Sequence, residues 1–436
     1  MREGEPIATR SRQPLAAAEI LALLAAVARL LFTDGETTRR MIVGVERLGA
    51  ALGVDVAVLP RWGALTLRIG DSSAPSLESI AAEPLGVDMT RVSAANELID
   101  KVCDHRLGAD AVRPALDAIR RLPPVSLARF VLLTAAGAAA LGVIFGASHW
   151  FTLVLIAFSA GAGALLRRWL AGLSTNPFVQ PFCAALLAGV VGAIVVRLQL
   201  SSLMRLVAVC PCMVLVPGAH FLNGAIDLAR SRIALGACRV GYACLITLVI
   251  SAGLLAGLSL AGVDLPVSPP VAAPPLGYDV IAAGVAVAAY GTFFAMPWRM
   301  LPIPIAIGML AHALRWVAIE AAGASAEAGA LVACVVVGVI VTPVADRLRM
   351  PFAAFAFASV VSLIPGVFLF RMAGGLLSLI RAGSAASSEL LLGTIVDGAT
   401  ALLIIVAMAF GLIVPKMCIE YLFPALTDAE RPVSSR

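Results

Sequence analysis

The stretch Leu215-Val216-Pro217-Gly218-Ala219-His220-Phe221-Leu222-Asn223-Gly224-Ala225-Ile226-Asp227-Leu228 opens with a tetrad that returns 148 residues later as Leu363-Ile364-Pro365-Gly366. The same offset pairs Trp150 with Trp298 and Leu166-Arg167 with Leu314-Arg315, an ungapped register over about seventy residues. Both Pro-Gly pairs sit inside long apolar runs. Proline removes a helix hydrogen bond and glycine adds backbone freedom, so the pattern predicts the same helix break twice, at Pro217-Gly218 and at Pro365-Gly366. In hydrocarbon such irregular backbone is tolerated only against protein or a water-filled cavity. A kink with packing value alone is the competing reading.

Outward from these breaks, the chain beyond Pro124 is a succession of apolar runs of membrane-spanning length. They fall near residues 128–147, 150–166, 179–196, 204–222, 234–260, 279–296, 300–319, 326–345, 351–370 and 390–415. Only helices and closed barrels satisfy their backbone in lipid, and the runs are too long and unbroken for barrel strands. The reading is therefore an all-α membrane protein with ten transmembrane helices. Five spans per half is an odd number, so the second half must enter the bilayer the other way up. Inverted five-helix repeats are a mark of secondary transporters, with sites near mid-membrane between the halves.

Composition agrees with a lipid environment. Hydrophobic residues make up 60% of the 436 and charged ones 14%, where soluble domains carry about 45–50% and about 25%. Residues 1–125 hold 15 basic and 16 acidic side chains, and the rest of the chain holds 17 and 11. A basic excess in short loops signals orientation rather than nucleic-acid binding, and no basic stripe with interleaved aromatics is present. With the first domain in the cytoplasm, inside loops carry Arg167, Arg168, Arg230, Arg232, Arg299, Arg347, Arg349 and Lys416. Outside loops carry Arg197, Arg205, Arg315, Arg371 and Arg381. The bias places both termini inside.

Residues 1–125 read as a small cytoplasmic α+β domain. Residues 20–32 are too short to span and follow no signal-peptide pattern, so they form a core-facing helix. Thr33 and Glu36 suggest a capping box for a second helix near 36–53. Residues 54–59 and 64–69 suggest a β-hairpin, residues 70–87 a loop, and 88–107 and 110–121 two more helices. The remaining divisions are a first membrane unit at 126–262, an external linker at 263–278, a second unit at 279–416 and a cytoplasmic tail at 417–436. No nucleophile motif, zinc-protease motif or phosphate loop occurs, so neither an enzyme nor a cofactor is expected. His105, on a charged helix, reads as a solvated surface residue. The eight cysteines, Cys210-Pro211-Cys212 included, lack metal or disulfide spacing and read as small apolar residues.

The segment 215–228 resembles the most characteristic motif of the threonine/serine exporter family. Leu31, Gly35-Glu36-Thr37-Thr38 and Ala51-Leu52-Gly53 resemble that family's soluble domain. Met296-Pro297, and Arg349-Met350-Pro351 through Pro365-Gly366, resemble its second membrane unit. The likeness runs from about residue 17 to 415. One departure is Ser231-Arg232, where the family tends to have Gly-Asp. The resemblance implies proton-coupled export of small hydroxy amino acids across a bacterial-type inner (plasma) membrane. Its expected partners are the amino acid, protons and the lipid bilayer; homo-oligomerisation is left open, as is the soluble domain's role in regulation, dimerisation or gating.

Six residues stand out as substrate or coupling candidates. His220, Asn223 and Asp227 share one helix face at i, i+3 and i+7 and suit the ammonium and hydroxyl of an amino acid; the alternative is a surfacing helix with Asp227 paired to Arg230. Asp397 lies mid-span with Thr394 and Thr400 at i±3. An uncompensated acid there costs at least about 2.5–3.5 kcal/mol, and such residues mark ion or proton paths. His312 and Arg315, one turn apart, read as a packing histidine and a snorkelling arginine, and Arg239 as an inside anchor. A gradient-independent channel on the same scaffold and a membrane-anchored hydrolase are the competing functions.

Overall fold

The computed structural model describes residues 16–70, 75–200, 204–260, 262–263, 274–348 and 350–423. Arg349, the side chain of Arg205, most of the 263–278 linker and residues 424–436 of the tail lie outside them.

Helix α1 (Ala17–Thr33) is apolar over most of its surface because most of it is covered: Leu24, Leu31 and Phe32 are fully buried, while Arg29 is exposed. Gly35, at φ +95°, turns the chain into α2 (Thr38–Ala51), which buries Met41, Val45 and Leu48. The capping box expected from Thr33 and Glu36 is absent. Thr37 is the N-cap, Thr33 bonds back to the Arg29 carbonyl at 2.9 Å, and Glu36 accepts from Thr37 N at 2.8 Å and Asn96 Nδ2 at 3.0 Å. The hairpin is present, as β1 (Val56–Arg61) and β2 (Gly63–Ile69), with Val56 opposite Ile69 and Val58 opposite Leu67. A third strand, β3 (Ser76–Ala82), pairs antiparallel with β2 inside the segment expected to be a loop. Its burial alternates but its residue types do not follow, since Leu77 lies on the exposed face and Glu78 on the half-buried one, so the apolar/polar alternation that marks such a strand is missing from the sequence. Asp88 caps α3 (Met89–Cys103) through Arg91 N at 3.0 Å, and α4 (Val112–Arg120) completes the domain.

Twelve further α-helices follow among the described residues. The first unit holds α5 (Leu127–Ile144), α6 (Trp150–Leu170), α7 (Val179–Arg197), α8 (Met204–Met213), α9 (Gly218–Ala229) and α10 (Ile233–Leu260). The second holds α11 (Leu276–Phe293), α12 (Pro302–Trp316), α13 (Ala326–Arg347), α14 (Phe352–Val360), α15 (Gly366–Ala382) and α16 (Ser388–Leu422). Among the described residues nine helical stretches are long and apolar enough to cross a membrane, or ten when the bent pair α8–α9 is one span. This is a multi-pass, helical membrane protein.

Two of the expected spans are not continuous. The run at 204–222 is α8 and α9, bent by 51° across residues 214–217. The run at 351–370 is a fully buried α14, a short 3-10 turn and then α15, interrupted at Pro365. Both interruptions fall at the Pro-Gly pairs, with Pro217 and Pro365 as N-caps at ψ 58° and 43°, outside the helical region.

Helix boundaries recur at the 148-residue offset from α5 to α15; Trp150 starts α6 as Trp298 starts the turn into α12, and Gly218 starts α9 as Gly366 starts α15. Helices α5 and α11, which correspond at that offset, pack antiparallel. Arg129 near the start of α5 bonds Thr292 at 3.1 Å and Met296 O at 2.7 Å past the end of α11, and Gly137 lies against Ala289. Small residues let backbones meet elsewhere as well: Gly253 and Gly257 of α10 lie against α7, and Gly338 of α13 against Gly411 O of α16.

Candidate functional site

The two breaks cover one another. A Cβ at Gly218 would overlap the ring of Phe357 on α14, and a Cβ at Gly366 would come within 2.6 Å of Met213 Cε on α8. Each first-unit half-helix thus meets a half-helix of the second unit. Tyr290 of α11 donates its hydroxyl to the Met213 carbonyl at 2.5 Å, satisfying an acceptor left by the end of α8.

A cavity of about 280 Å³ opens beside the first break, and one of about 250 Å³ adjoins it. The first is lined by Leu215, Val216, Pro217 and His220 from the break, Tyr242 from α10, Phe293 and Phe294 from α11, and Leu85–Val87 from the N-terminal domain. Arg167 and Gln180 line both. His220 meets the Tyr242 ring edge to face at 5.3 Å.

Asn223 and Asp227, on the same helix as His220, line neither cavity. They face the N-terminal domain. Thr38 Oγ1 donates to Asp227 Oδ2 at 2.9 Å, and Asn223 Nδ2 donates to Gly35 O at 3.3 Å. Asp227 also lies 3.5 Å from both Arg232 and Arg239. Arg239 is 1% exposed and sits 5.2 Å from the Phe32 ring. Arg230, the partner anticipated for Asp227, pairs instead with Glu420 of α16, which also accepts from Lys416 at 2.7 Å. The domain grips the second unit too, through Arg40 to Asp346 at 3.6 Å and to Met350 O at 2.5 Å.

Asp397 is 6% exposed and is compensated. Arg371 Nε lies 3.0 Å from its Oδ2. Arg371, assigned from sequence to an outside loop, is instead the sixth residue of α15, half-buried and paired with the acid on α16. Thr394 packs where Gly375 of α15 lacks a side chain and bonds Leu390 O at 2.7 Å; Thr400 is half-buried on the same helix. Sequence reasoning missed a further buried pair. His312 Nδ1 lies 2.8 Å from Asp279 Oδ2, and His312 is fully buried with Nε2 lacking a partner among the described residues. The signal was an acid in the first turn of one apolar helix and a histidine in the next.

No cluster of three or more His, Cys, Asp or Glu suited to a metal occurs among the described residues. A buried break, a facing cavity and ion pairs between apolar helices are features shared with membrane transport proteins. A family described as a putative threonine/serine exporter matches residues 22–261, and a second, described as Threonine/Serine exporter, ThrE, matches residues 279–418. The first alone covers more than half of the chain, which belongs to the threonine/serine exporter family. No curated protein and no solved structure matches it.

Proposed function

We propose that this protein is a secondary exporter of small hydroxy amino acids that works by proton antiport and alternating access. The observation that carries the reading is the reciprocal packing of the two breaks, Gly218 under Phe357 and Gly366 against Met213. In this account the two units form an inverted repeat that rocks about that contact. The antiparallel α5–α11 pair at the common offset supports the inversion. The basic bias of the loops supports a cytoplasmic N-terminal domain and C-terminus in an inner (plasma) membrane.

Asp397 is the proposed coupling acid. While ionised it holds Arg371, and with it α15, against α16. Protonation removes the attraction and frees α15 to swing at Pro365-Gly366. Release of the proton on the other side regenerates the carboxylate and restores the pair. In this scheme Thr394 and Thr400 keep the α15–α16 contact, His220 faces the substrate cavity, and Asn223 and Asp227 dock the domain. That domain contacts both units at one membrane face, so its grip must loosen when the halves part there.

The test is flux of labelled threonine and serine into proteoliposomes under an imposed pH gradient, with Asp397→Asn alongside. Gradient-driven flux in the parent and its loss in the mutant are the expected results. Gradient-driven flux intact in Asp397→Asn removes that residue from the mechanism, and equilibration indifferent to the gradient makes the protein a facilitator.

A further inference from the structure

We propose that Arg167 is the anchor for the carboxylate of a small solute in the cavity beside the first break; this deepens the exporter reading and rests on it. Arg167 ends the apolar part of α6 and projects into the space shared by the two cavities. Its guanidinium lies 4.7 Å from the Phe293 ring centroid and 5.9 Å from that of Phe130. No carboxylate lies within salt-bridge distance of it among the described residues, and its Nε is buried without a hydrogen-bond partner. The nearby charge is another cation, Arg168, which already donates to Val125 O at 2.6 Å.

Three other enclosed cations each have a counterion: Arg239 has Asp227, Arg371 has Asp397, Lys416 has Glu420. Arg167 is partly buried, and a guanidinium withdrawn from water without an acid is costly unless an anion arrives. Stacking on aromatic faces fixes its plane, and the fork of donors then matches a carboxylate bidentately. The remaining requirements of an amino acid are met nearby. Leu215 O and Ala219 N, both on lining residues, have no hydrogen-bond partner among the described residues, because the break removes the bond that would join them. The carbonyl suits an ammonium, and the amide lies in the first turn of α9, where partial positive charge favours an anion. The cavity lies near the lower end of the roughly 300–1,000 Å³ usual for small-molecule sites, which favours a small solute over a peptide or nucleotide.

The experiment measures ligand-induced thermal stabilisation and competition binding on the purified full chain. The probes are L-threonine, L-serine, lactate, and threonine amide, in which the carboxylate is neutral. Parent protein, Arg167→Gln, Arg167→Lys and Arg168→Gln are compared after each is shown to be monodisperse. The carboxylates should bind and the amide should fail to compete. Arg167→Gln should weaken binding by roughly 30-fold or more, the usual consequence of removing one partner of an enclosed charge pair. Arg167→Lys should restore part of the affinity, and Arg168→Gln should stay within about threefold of the parent on the same scale. Competition by the amide equal to that of threonine, retained affinity in Arg167→Gln, or no binding of any carboxylate would each overturn the proposal. Arg167-dependent carboxylate binding without threonine or serine flux would uphold this site and remove the exporter reading instead.

Discussion

Thr38 Oγ1 donates to Asp227 Oδ2 at 2.9 Å, a bond between residues 189 positions apart that ties the N-terminal domain to the first broken helix. Asp227 is also the counterion of buried Arg239. Asp227→Asn leaves that arginine without compensation and should destabilise the protein by about 3–5 kcal/mol. Thr38→Ala removes one hydrogen bond to a charged group and should cost about 1.5–3 kcal/mol. Thermal unfolding of the purified chain ranks the two; equal effects would mean that Arg239 does not depend on Asp227.

Ser231 stands at φ +60°, the left-handed region that favours glycine, where the family motif tends to carry Gly. Ser231→Gly should raise stability by about 1 kcal/mol, the lower end of the penalty for a side chain in that conformation. An unchanged or lower unfolding temperature would show that the Ser231 side chain returns more than its backbone costs.

At Gly218 the constraint is steric. Gly218→Ala drives a methyl group into the Phe357 ring and should destabilise by about 1–3 kcal/mol or arrest flux. Phe357→Leu in the same chain should recover part of the loss, since it removes the atoms that clash. Failure of the double variant to recover either stability or flux would separate the two residues.

In the N-terminal domain, burial lifts the Asp34 carboxyl from its ordinary 3.8 to about 6, against the opposing pull of Arg91. The folded state therefore holds the proton more tightly than the unfolded chain does. Stability is unaffected by this group below about pH 3.8, falls as pH rises toward about 6, and stays reduced above it. Asp34→Asn should stabilise at pH 7.5 by on the order of 1–2 kcal/mol, a value discounted for partial solvent exposure, and the gain should fade as pH drops toward about 4. A gain independent of pH would point to another cause.

The breaks were legible because Pro-Gly acts on its own backbone, and most span positions because a membrane helix needs only length and apolarity. The strand β3 was not, since exposed Leu77 spoils its alternation. The pairing of Arg371 with Asp397 was also hidden. The two residues lie on different helices, and charge counting placed Arg371 in a loop. The same limit applies to Asp227, whose partners Thr38 and Arg239 come from another domain and another helix. Sequence spacing grouped His220, Asn223 and Asp227 on one face; packing divides that face between the cavity and the domain interface. The unpaired state of Arg167 is a property of what surrounds it, and no local pattern encodes that.

Proton antiport is tested most directly by uptake of labelled threonine into proteoliposomes containing the parent protein, with and without an imposed pH gradient. Antiport requires accumulation that follows the gradient, reverses when it is reversed and collapses with a protonophore. Equilibration at the same rate and extent in all conditions would contradict antiport.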